Sequence, residues 1–169
     1  TPAGAVTQYS IGAGTGPRAI AFDGTNMWTA NYAEYSVSKI SPTGTVTTYG
    51  GTGTGPRGIA FDGTNMWTAN NIGNSVSKIT PTGTVTTYGG TGTNPQAIAF
   101  DGTNMWTANY NGNNVSKISP TGTVTTYSIG AGTGPRGIAF DGTNMWTGNA
   151  NGNSVSKITP TGAVTTYSI

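Results

Sequence analysis

The sequence predicts an all-β protein with the architecture of a β-propeller, and three observations lead to this fold class. The motif GPRAIAFDGTNMWTAN, which begins at Gly16, returns in closely similar form at Gly55, Asn94 and Gly134, so four copies follow one another about 39–40 residues apart. A unit of this length is typical of one four-stranded propeller blade. Its apolar residues lack the 3.6-residue period of an amphipathic helix, which excludes helical repeats of similar length.

The first predicted strand of each copy carries small or apolar residues on both faces. In the first copy it spans residues 19–22, and its counterparts are residues 58–61, 97–100 and 137–140. A strand without a polar face has to be covered on both sides, as happens between neighbouring blades near a propeller axis. We therefore predict that this strand is the innermost one and that Ile20, Phe22, Trp28 and their counterparts form the core between blades.

Turn sequences separate the other three strands of each copy. Residues 23–26, Asp-Gly-Thr-Asn, favour a tight turn before a second strand at 27–30. The loop before the third strand, at 37–40, reads Asn-Gly in the third and fourth copies, which is a strong hairpin signal. Residues 41–44, Ser-Pro-Thr-Gly, have the composition of a type I turn and precede an outer strand at 46–49. A glycine-rich linker at 50–55 returns the chain to the centre of the next blade.

The repeat divides the chain into blades at 16–54, 55–93, 94–133 and 134–169, preceded by an extra outer strand and linker at 1–15. The outer-strand motif occurs five times, beginning with Gly4-Ala5-Val6, whereas the other strands occur four times. We expect one propeller domain or part of a longer array. A spare strand can pair with a sheet edge of another chain. Self-association into a homo-oligomer, a filament or a longer array is therefore the expected partnership.

Composition excludes several classes of function. Charged residues make up 7% of the chain, with seven basic and five acidic side chains and a net charge of +2, and no basic run suggests nucleic-acid binding. Cysteine and histidine are absent from the sequence. No apolar stretch approaches the ~18 residues that span a bilayer, so membrane insertion is not expected. We expect an extracellular, cell-surface or periplasmic bacterial protein without a cofactor.

An arginine precedes the inner strand in three copies, and Gln96 takes its place in the third. About five residues at ~3.3 Å each separate this position from the aspartate that follows the strand, so the two sets should lie about 16 Å apart at opposite ends. An arginine cluster at one mouth of a central channel suits a small anion or a carboxylate. A solvated rim, in which these side chains bind linker carbonyls, is the favoured interpretation, and ligand binding is the alternative. The predicted binding residues at this end are Arg18, Arg57 and Arg136.

The loop between the second and third strands differs most between copies. Any recognition that is specific to one copy is expected in this loop, and carbohydrate is a candidate ligand for its amide and aromatic groups. Sequence drift in an unconstrained loop explains the differences equally well. The candidate ligand or partner residues here are Tyr32, Glu34, Tyr35, Asn71, Asn111 and Asn151.

Three further sets of repeated residues have structural interpretations. Each aspartate after the inner strand opens the same turn, which favours a turn role over divalent-cation binding. The tryptophans lie in mid-strand, which favours the core over stacking on sugar rings. The lysines of the third strand have no base or nucleophile beside them. These sets are Asp23, Asp62, Asp101 and Asp141; Trp28, Trp67, Trp106 and Trp146; and Lys39, Lys78, Lys117 and Lys157.

The repeat PRxIAFDGTNMWTAN followed by VSKITPTGTVTTY resembles the bacterial propeller repeats of the YVTN and NHL groups, and in particular those of the virginiamycin B lyase family. The resemblance covers the whole chain and implies the propeller fold. Lyases of this family use histidine and glutamate around a magnesium ion, whereas this chain has no histidine and one glutamate, Glu34. The resemblance therefore implies no catalytic or metal-binding residue here.

From this mismatch we expect no enzyme, but a repeat scaffold or interaction module that self-assembles through its spare edge strand. A multivalent glycan-binding propeller is the alternative, and a lyase or hydrolase comes last.

Overall fold

The computed structural model describes residue 4 and residues 6–169. These residues form sixteen β-strands, arranged in four antiparallel sheets of four strands each, and no helix. The predicted all-β propeller with four blades is confirmed. No helix in the described residues is long and apolar enough to cross a membrane.

Each blade consists of four consecutive strands that pair in chain order. The strands of blade 1 are β1 (Pro17–Phe22), β2 (Met27–Asn31), β3 (Ser36–Ile40) and β4 (Val46–Gly50). Those of blade 2 are β5 (Pro56–Phe61), β6 (Met66–Asn70), β7 (Ser75–Ile79) and β8 (Val85–Gly89). Those of blade 3 are β9 (Pro95–Phe100), β10 (Met105–Asn109), β11 (Asn114–Ile118) and β12 (Val124–Ser128). Those of blade 4 are β13 (Pro135–Phe140), β14 (Met145–Asn149), β15 (Ser154–Ile158) and β16 (Val164–Ser168).

The first strands of successive blades lie side by side, so they are the innermost strands, as the sequence predicts. Small residues allow this close approach. A Cβ atom added to Gly58 would lie 3.0 Å from the Ala97 Cα atom and 3.1 Å from the Gln96 carbonyl oxygen. The alternation of small residues with Ile and Phe therefore fits a crowded axis.

Each pair of neighbouring blades encloses its own apolar cluster. We call the side of a blade that faces the next blade its forward face and the other side its backward face. Between blades 1 and 2, Trp28 and Val37 on the forward face of blade 1 pack against Ile59, Met66 and Ile79 on the backward face of blade 2. The same arrangement recurs between blades 2 and 3 and between blades 3 and 4.

The prediction that Ile20 and Phe22 belong to this core is wrong, whereas Trp28 is buried as expected. Ile20 is 60% exposed and Phe22 is 56% exposed, although Ile98, the counterpart of Ile20 in blade 3, is only 8% exposed. Position in the array explains Ile20, because no blade among the described residues covers the backward face of blade 1. The phenylalanine of this strand is not fully buried in any blade, and Phe140 is 37% exposed although blade 3 covers its face. Burial of this strand depends on a neighbour.

A buried polar network crosses each blade. In blade 1 the Asn31 amide donates to the hydroxyls of Ser36 and Ser38 at 3.1 and 2.9 Å, and its carbonyl accepts from Thr29 at 2.8 Å. Ser38 also shares a hydrogen bond of 3.0 Å with Thr48 on the outer strand. Among the described residues no buried side-chain polar atom lacks a partner. Hydrogen bonds between uncharged side chains therefore hold each blade together, although the chain carries few charges.

The predicted extra outer strand is not formed by the described part of its segment. Residues 6–12 belong to no strand, and positions 1–3 and 5 lie outside the described residues. An outer strand pairs only with the third strand of its own blade. In each of the four sheets the third strand already pairs with its own outer strand, so no partner strand remains for this segment. The ring of Tyr9 nevertheless lies against Gly44, just as Tyr49 lies against Gly83 one repeat later.

Candidate functional site

The two ends of the inner strands carry different chemistry. We call the end where the inner strands begin the arginine end and the opposite end the aspartate end. The loop between the second and third strands also lies at the arginine end, because the Tyr32 N–H donates to the Gly16 carbonyl at 3.1 Å. The loop in blade 4 repeats this bond from Ala150 to Gly134 at 3.0 Å. The two sets of predicted binding residues therefore share one end of the molecule.

Each predicted arginine lies at an irregularity of the inner strand. The register of β1 with β2 shifts between Pro17 and Ala19, which leaves Arg18 as the unpaired residue. The same shift leaves Arg57 and Arg136 unpaired in blades 2 and 4. A β-bulge at the rim of a sheet turns the side chain of its extra residue away from the ladder. The bulge therefore explains why the side chain at this position points to the arginine end and not into the core.

Tyrosine rings support two of the three arginines. The guanidinium carbon of Arg18 lies 5.1 Å from the ring centroid of Tyr32, and that of Arg136 lies 4.6 Å from the ring centroid of Tyr110. A guanidinium over an aromatic face is attracted to the ring, and it has five N–H donors, more than the ring contact uses. Both arginines are exposed.

The loop of blade 3 contributes a tyrosine that the sequence analysis did not select. Tyr110 occupies the same repeat position as Tyr32, and its hydroxyl donates to the Asn151 side-chain carbonyl at 3.1 Å. The neighbouring Arg136 guanidinium stabilises the phenolate and lowers the pKa of Tyr110 below its ordinary value. Comparing repeat positions rather than loop variability would have found this residue.

The remaining predicted residues are not gathered into one cluster. Asn71 is buried and donates to the Pro95 carbonyl at 3.2 Å, so it ties blade 2 to blade 3. Glu34, Tyr35 and Asn111 are exposed. Arg57 is half-buried. The structure thus brings Arg18 together with Tyr32, and Arg136 together with Asn151 through Tyr110. Ligand binding by these residues stays a prediction.

The net charge of the molecule is concentrated at the arginine end. The four aspartates follow the inner strands, and the four lysines reach towards the same end, where Lys39 donates to the Pro81 carbonyl at 3.3 Å. These eight charges cancel. The arginine end carries three arginines and one acidic side chain, Glu34, which accounts for the whole side-chain net charge of +2.

The aspartate end is built from satisfied turns. Asp23 accepts hydrogen bonds from the backbone N–H groups of Thr25 and Asn26 at 2.8 and 2.6 Å, and from the Trp28 indole at 2.6 Å. Partial desolvation raises the pKa of Asp23, but these bonds outweigh it and lower the pKa to about 2. No group of three potential metal-ligating side chains occurs among the described residues. The carboxylates act as turn and tryptophan anchors.

This anchoring predicts a loss of stability in acid. Because the folded pKa of Asp23 lies below its ordinary value of 3.8, its contribution is fully present above about pH 4 and disappears as the pH falls towards 2. Asp141, with a pKa also lowered to about 2, behaves in the same way. Urea unfolding at pH 7, 4, 3 and 2 should show a constant free energy of unfolding down to about pH 4 and a fall below it.

The Asp23→Asn variant provides the control for the acid experiment. It should be less stable than the parent protein at pH 7, and the difference between the two should shrink as the pH approaches 2. A difference that stays constant with pH would contradict the anchoring role of this carboxylate.

The tryptophans are not available as a sugar-binding surface in the first three blades. Trp28, Trp67 and Trp106 are buried. Each stacks on the tyrosine of its outer strand, with ring centroids 5.7 Å apart in the pair Trp28 and Tyr49. The interpretation of these residues as core is confirmed, and the structure gives no exposed row of tryptophans that would support glycan binding.

The sequence profile of the virginiamycin B lyase family matches residues 1–169. A catalytically inactive virginiamycin B lyase from Staphylococcus aureus, solved with quinupristin, has a TM-score of 0.85 at 23% identity, over 94% of this chain and 57% of that one. Kuenenia stuttgartiensis hydrazine synthase gives 0.80 at 21% identity, over 98% and 53% of the two chains. A nidogen/laminin complex gives 0.75 at 15% identity, over 90% and 64%. No curated protein sequence matches significantly.

These comparisons contradict the expectation that the chain is not an enzyme, because the matching family and several of the matching structures are lyases. The expectation was based on the missing histidine. The chain spans only 56–58% of the length of the lyase structures that it matches. The residues that these 169 positions contain or lack therefore do not determine the chemistry of a whole propeller.

Proposed function

Because the chain belongs to the virginiamycin B lyase family, we propose that it is a ligand-binding section of a propeller whose arginine end takes an anionic group, such as a carboxylate or a phosphate. The observation that carries this proposal is the pair of exposed guanidiniums, Arg18 and Arg136, held on tyrosine rings. A guanidinium whose motion is already restricted by a contact with a ring loses less entropy when it makes a bidentate contact with a ligand.

The charge distribution supports an anion over a cation or a neutral ligand. Glu34 is the one acidic side chain at the arginine end, whereas the aspartates are held in turns at the opposite end. An uncompensated charge of one sign on one part of a protein surface attracts ions of the other sign, and salt weakens this attraction. Binding should therefore fall as ionic strength rises.

Titration with citrate and, separately, with inorganic phosphate tests this function. We expect saturable binding that the Arg136→Ala substitution weakens about tenfold, because one charge-assisted hydrogen-bonding group is lost. Arg136→Lys should bind more weakly than the parent, since lysine keeps the charge but not the planar pair of donors. Isothermal titration calorimetry at low and moderate salt measures each affinity.

Lys78→Ala is the matched control, because it removes one positive charge at the aspartate end, at a junction between two blades of the same chain. It should leave the affinity unchanged. An equal loss for Lys78→Ala and Arg136→Ala would show attraction to the overall charge, and the proposed site would be wrong.

Lyase activity is the second candidate function, and family membership is the observation that favours it. Quinupristin is the compound present in one matched lyase structure. Incubation of the chain with quinupristin and magnesium, followed by liquid chromatography, tests this candidate. Enzyme-dependent consumption of quinupristin supports it, and no consumption above the protein-free rate counts against it.

A further inference from the structure

Both ends of the blade array present an open face that is covered everywhere else in the molecule. The backward face of blade 1 carries the exposed Ile20 and Phe22. Ile20, Met27 and Ile40 line an apolar hollow of about 480 Å³ on this face, with Tyr9 of the N-terminal segment at its side. The forward face of blade 4 carries Trp146, which is half-buried, whereas its three counterparts are buried. No blade among the described residues covers either of these two faces.

The three internal junctions show which surface fits each open face. The backward face of blade 1 repeats the residues that blades 2 and 3 bury, so Ile20 and Met27 correspond to Ile98 and Met105 of the blade 3 core. The forward face of blade 4 repeats the other half of the junction, with Gly148 in place of the buried alanines of blades 1 to 3. One open face is therefore the complement of the other.

Polar groups at the two faces match in the same way. At the junction of blades 3 and 4, Lys117 donates to the Pro160 carbonyl at 3.0 Å, and the Gly134 N–H donates to the Asn113 side chain at 3.0 Å. The corresponding groups on the open faces are Lys157 and Asn153 of blade 4 and Pro42 and Gly16 of blade 1. Asn153 has a φ of 45°, close to the 49° of Asn113, so it presents its side chain from the same backbone conformation.

We propose that the open faces bind a second copy of this chain, with the forward face of blade 4 in one copy packed on the backward face of blade 1 in the other. Such a contact is heterologous, and two equivalent junctions close two chains into a ring. Eight blades lie within the range of about four to eight that propellers adopt. The contact between the two copies thus uses the same residues of the repeat as the junctions between blades within one chain.

The N-terminal segment competes for part of this contact. Tyr9 lies against Gly44, where the outer-strand tyrosine of a preceding blade would lie, and Tyr9 remains 50% exposed. In the ring, Tyr167 of the other copy takes this position. It has the advantage of lying on β16, which is paired along its length with β15, whereas residues 6–12 pair with no strand.

Sedimentation equilibrium of the 169-residue chain tests the proposal. We expect a particle of twice the 17.1 kDa chain mass. Ile20→Lys places a charge on the backward face at an exposed position and should give a monomer, whereas Val6→Lys, at a residue 86% exposed outside both faces, should remain a dimer. A monomeric parent protein, or a dimer that survives Ile20→Lys, overturns the proposal, and a filament overturns the closed ring.

A mixing experiment distinguishes this head-to-tail contact from a symmetric one. Gly148→Lys alters the forward face at a position where an added Cβ atom meets nothing within 4 Å and the backbone needs no glycine. Each single variant should be monomeric, because every junction needs both faces. Mixed, they should form a dimer through one intact junction, weaker than the parent ring. No association on mixing contradicts a heterologous junction.

Deletion of residues 1–11 separates face docking from strand donation. If the open faces make the contact, removing the competing Tyr9 should strengthen association. If the deletion abolishes association, the N-terminal strand makes the contact and the proposal is wrong.

Discussion

Replacing Trp106 with alanine is expected to lower the free energy of unfolding by about 3–5 kcal/mol, the cost of removing a large aromatic side chain from a close-packed core. Trp106 is completely buried between blades 3 and 4. Its indole donates to Asp101 at 2.6 Å, and its ring stacks on Tyr127 with centroids 5.7 Å apart. The substitution therefore creates a cavity, removes an aromatic pair and leaves a carboxylate short of one donor. Urea unfolding followed by far-ultraviolet circular dichroism measures the loss.

Trp146 provides the control for this substitution within the same chain. It makes the same indole bond to Asp141 and the same stack on Tyr167, with ring centroids 5.8 Å apart, but no blade among the described residues covers it. Trp146→Ala should therefore cost less than Trp106→Ala. Both should be measured in the Ile20→Lys background, so that a second copy cannot cover Trp146. Equal losses would show that the neighbouring blade contributes little to the burial energy.

The Gly83→Ala substitution is expected to destabilise the protein by about 2–4 kcal/mol, because backbone strain and overpacking act together. Gly83 has a φ of +92°, and a Cβ atom there would overlap the Tyr49 ring. The ring would have to move, and it is the partner of Trp28 in a stack with centroids 5.7 Å apart. The free energy of unfolding in urea measures the combined cost.

Gly63 separates the two contributions. Its φ is +93°, nearly that of Gly83, but nothing lies within 4 Å of an added Cβ atom. Gly63→Ala should cost only the strain, about 1 kcal/mol. In a Tyr49→Ala background the cost of Gly83→Ala should fall to that of Gly63→Ala, as a double-mutant cycle would show. If Gly83→Ala costs no more than Gly63→Ala in the parent protein, the tyrosine contact carries no energy.

The fold could be predicted because its determinants are local. Two signals, the Asp-Gly-Thr-Asn turn and the strand that is apolar on both faces, each depend on a few neighbouring residues. Both signals occur in all four copies of the repeat, which strengthens the prediction. Burial of Ile20 was predicted wrongly for a different reason. Ile20 and Ile98 have the same local sequence, and only the presence of a preceding blade separates an exposed side chain from a buried one.

The candidate site was predicted only in part. Its location at one end of the inner strands followed from strand geometry, but the support of Arg136 by Tyr110 depends on how two successive blades pack. The bond from Trp28 to Asp23 was also missed. It requires the side-chain rotamer that points the indole back over the turn, which the five-residue spacing allows but does not specify.

The bulge at the start of each inner strand has a consequence for how such a protein can diversify. Pairing and packing constrain nearly every other position of the repeat, but the bulged residue takes part in neither ladder nor core. Blade 3 already illustrates this freedom, since Gln96 replaces the arginine and bonds to Asn94 at 2.7 Å while its sheet stays intact. Duplication of a blade therefore copies a fixed scaffold together with one chemically unconstrained position at the mouth. Substitutions at that position can change what this end of the protein recognises, one blade at a time, and leave the sheet and the core of the blade unaltered.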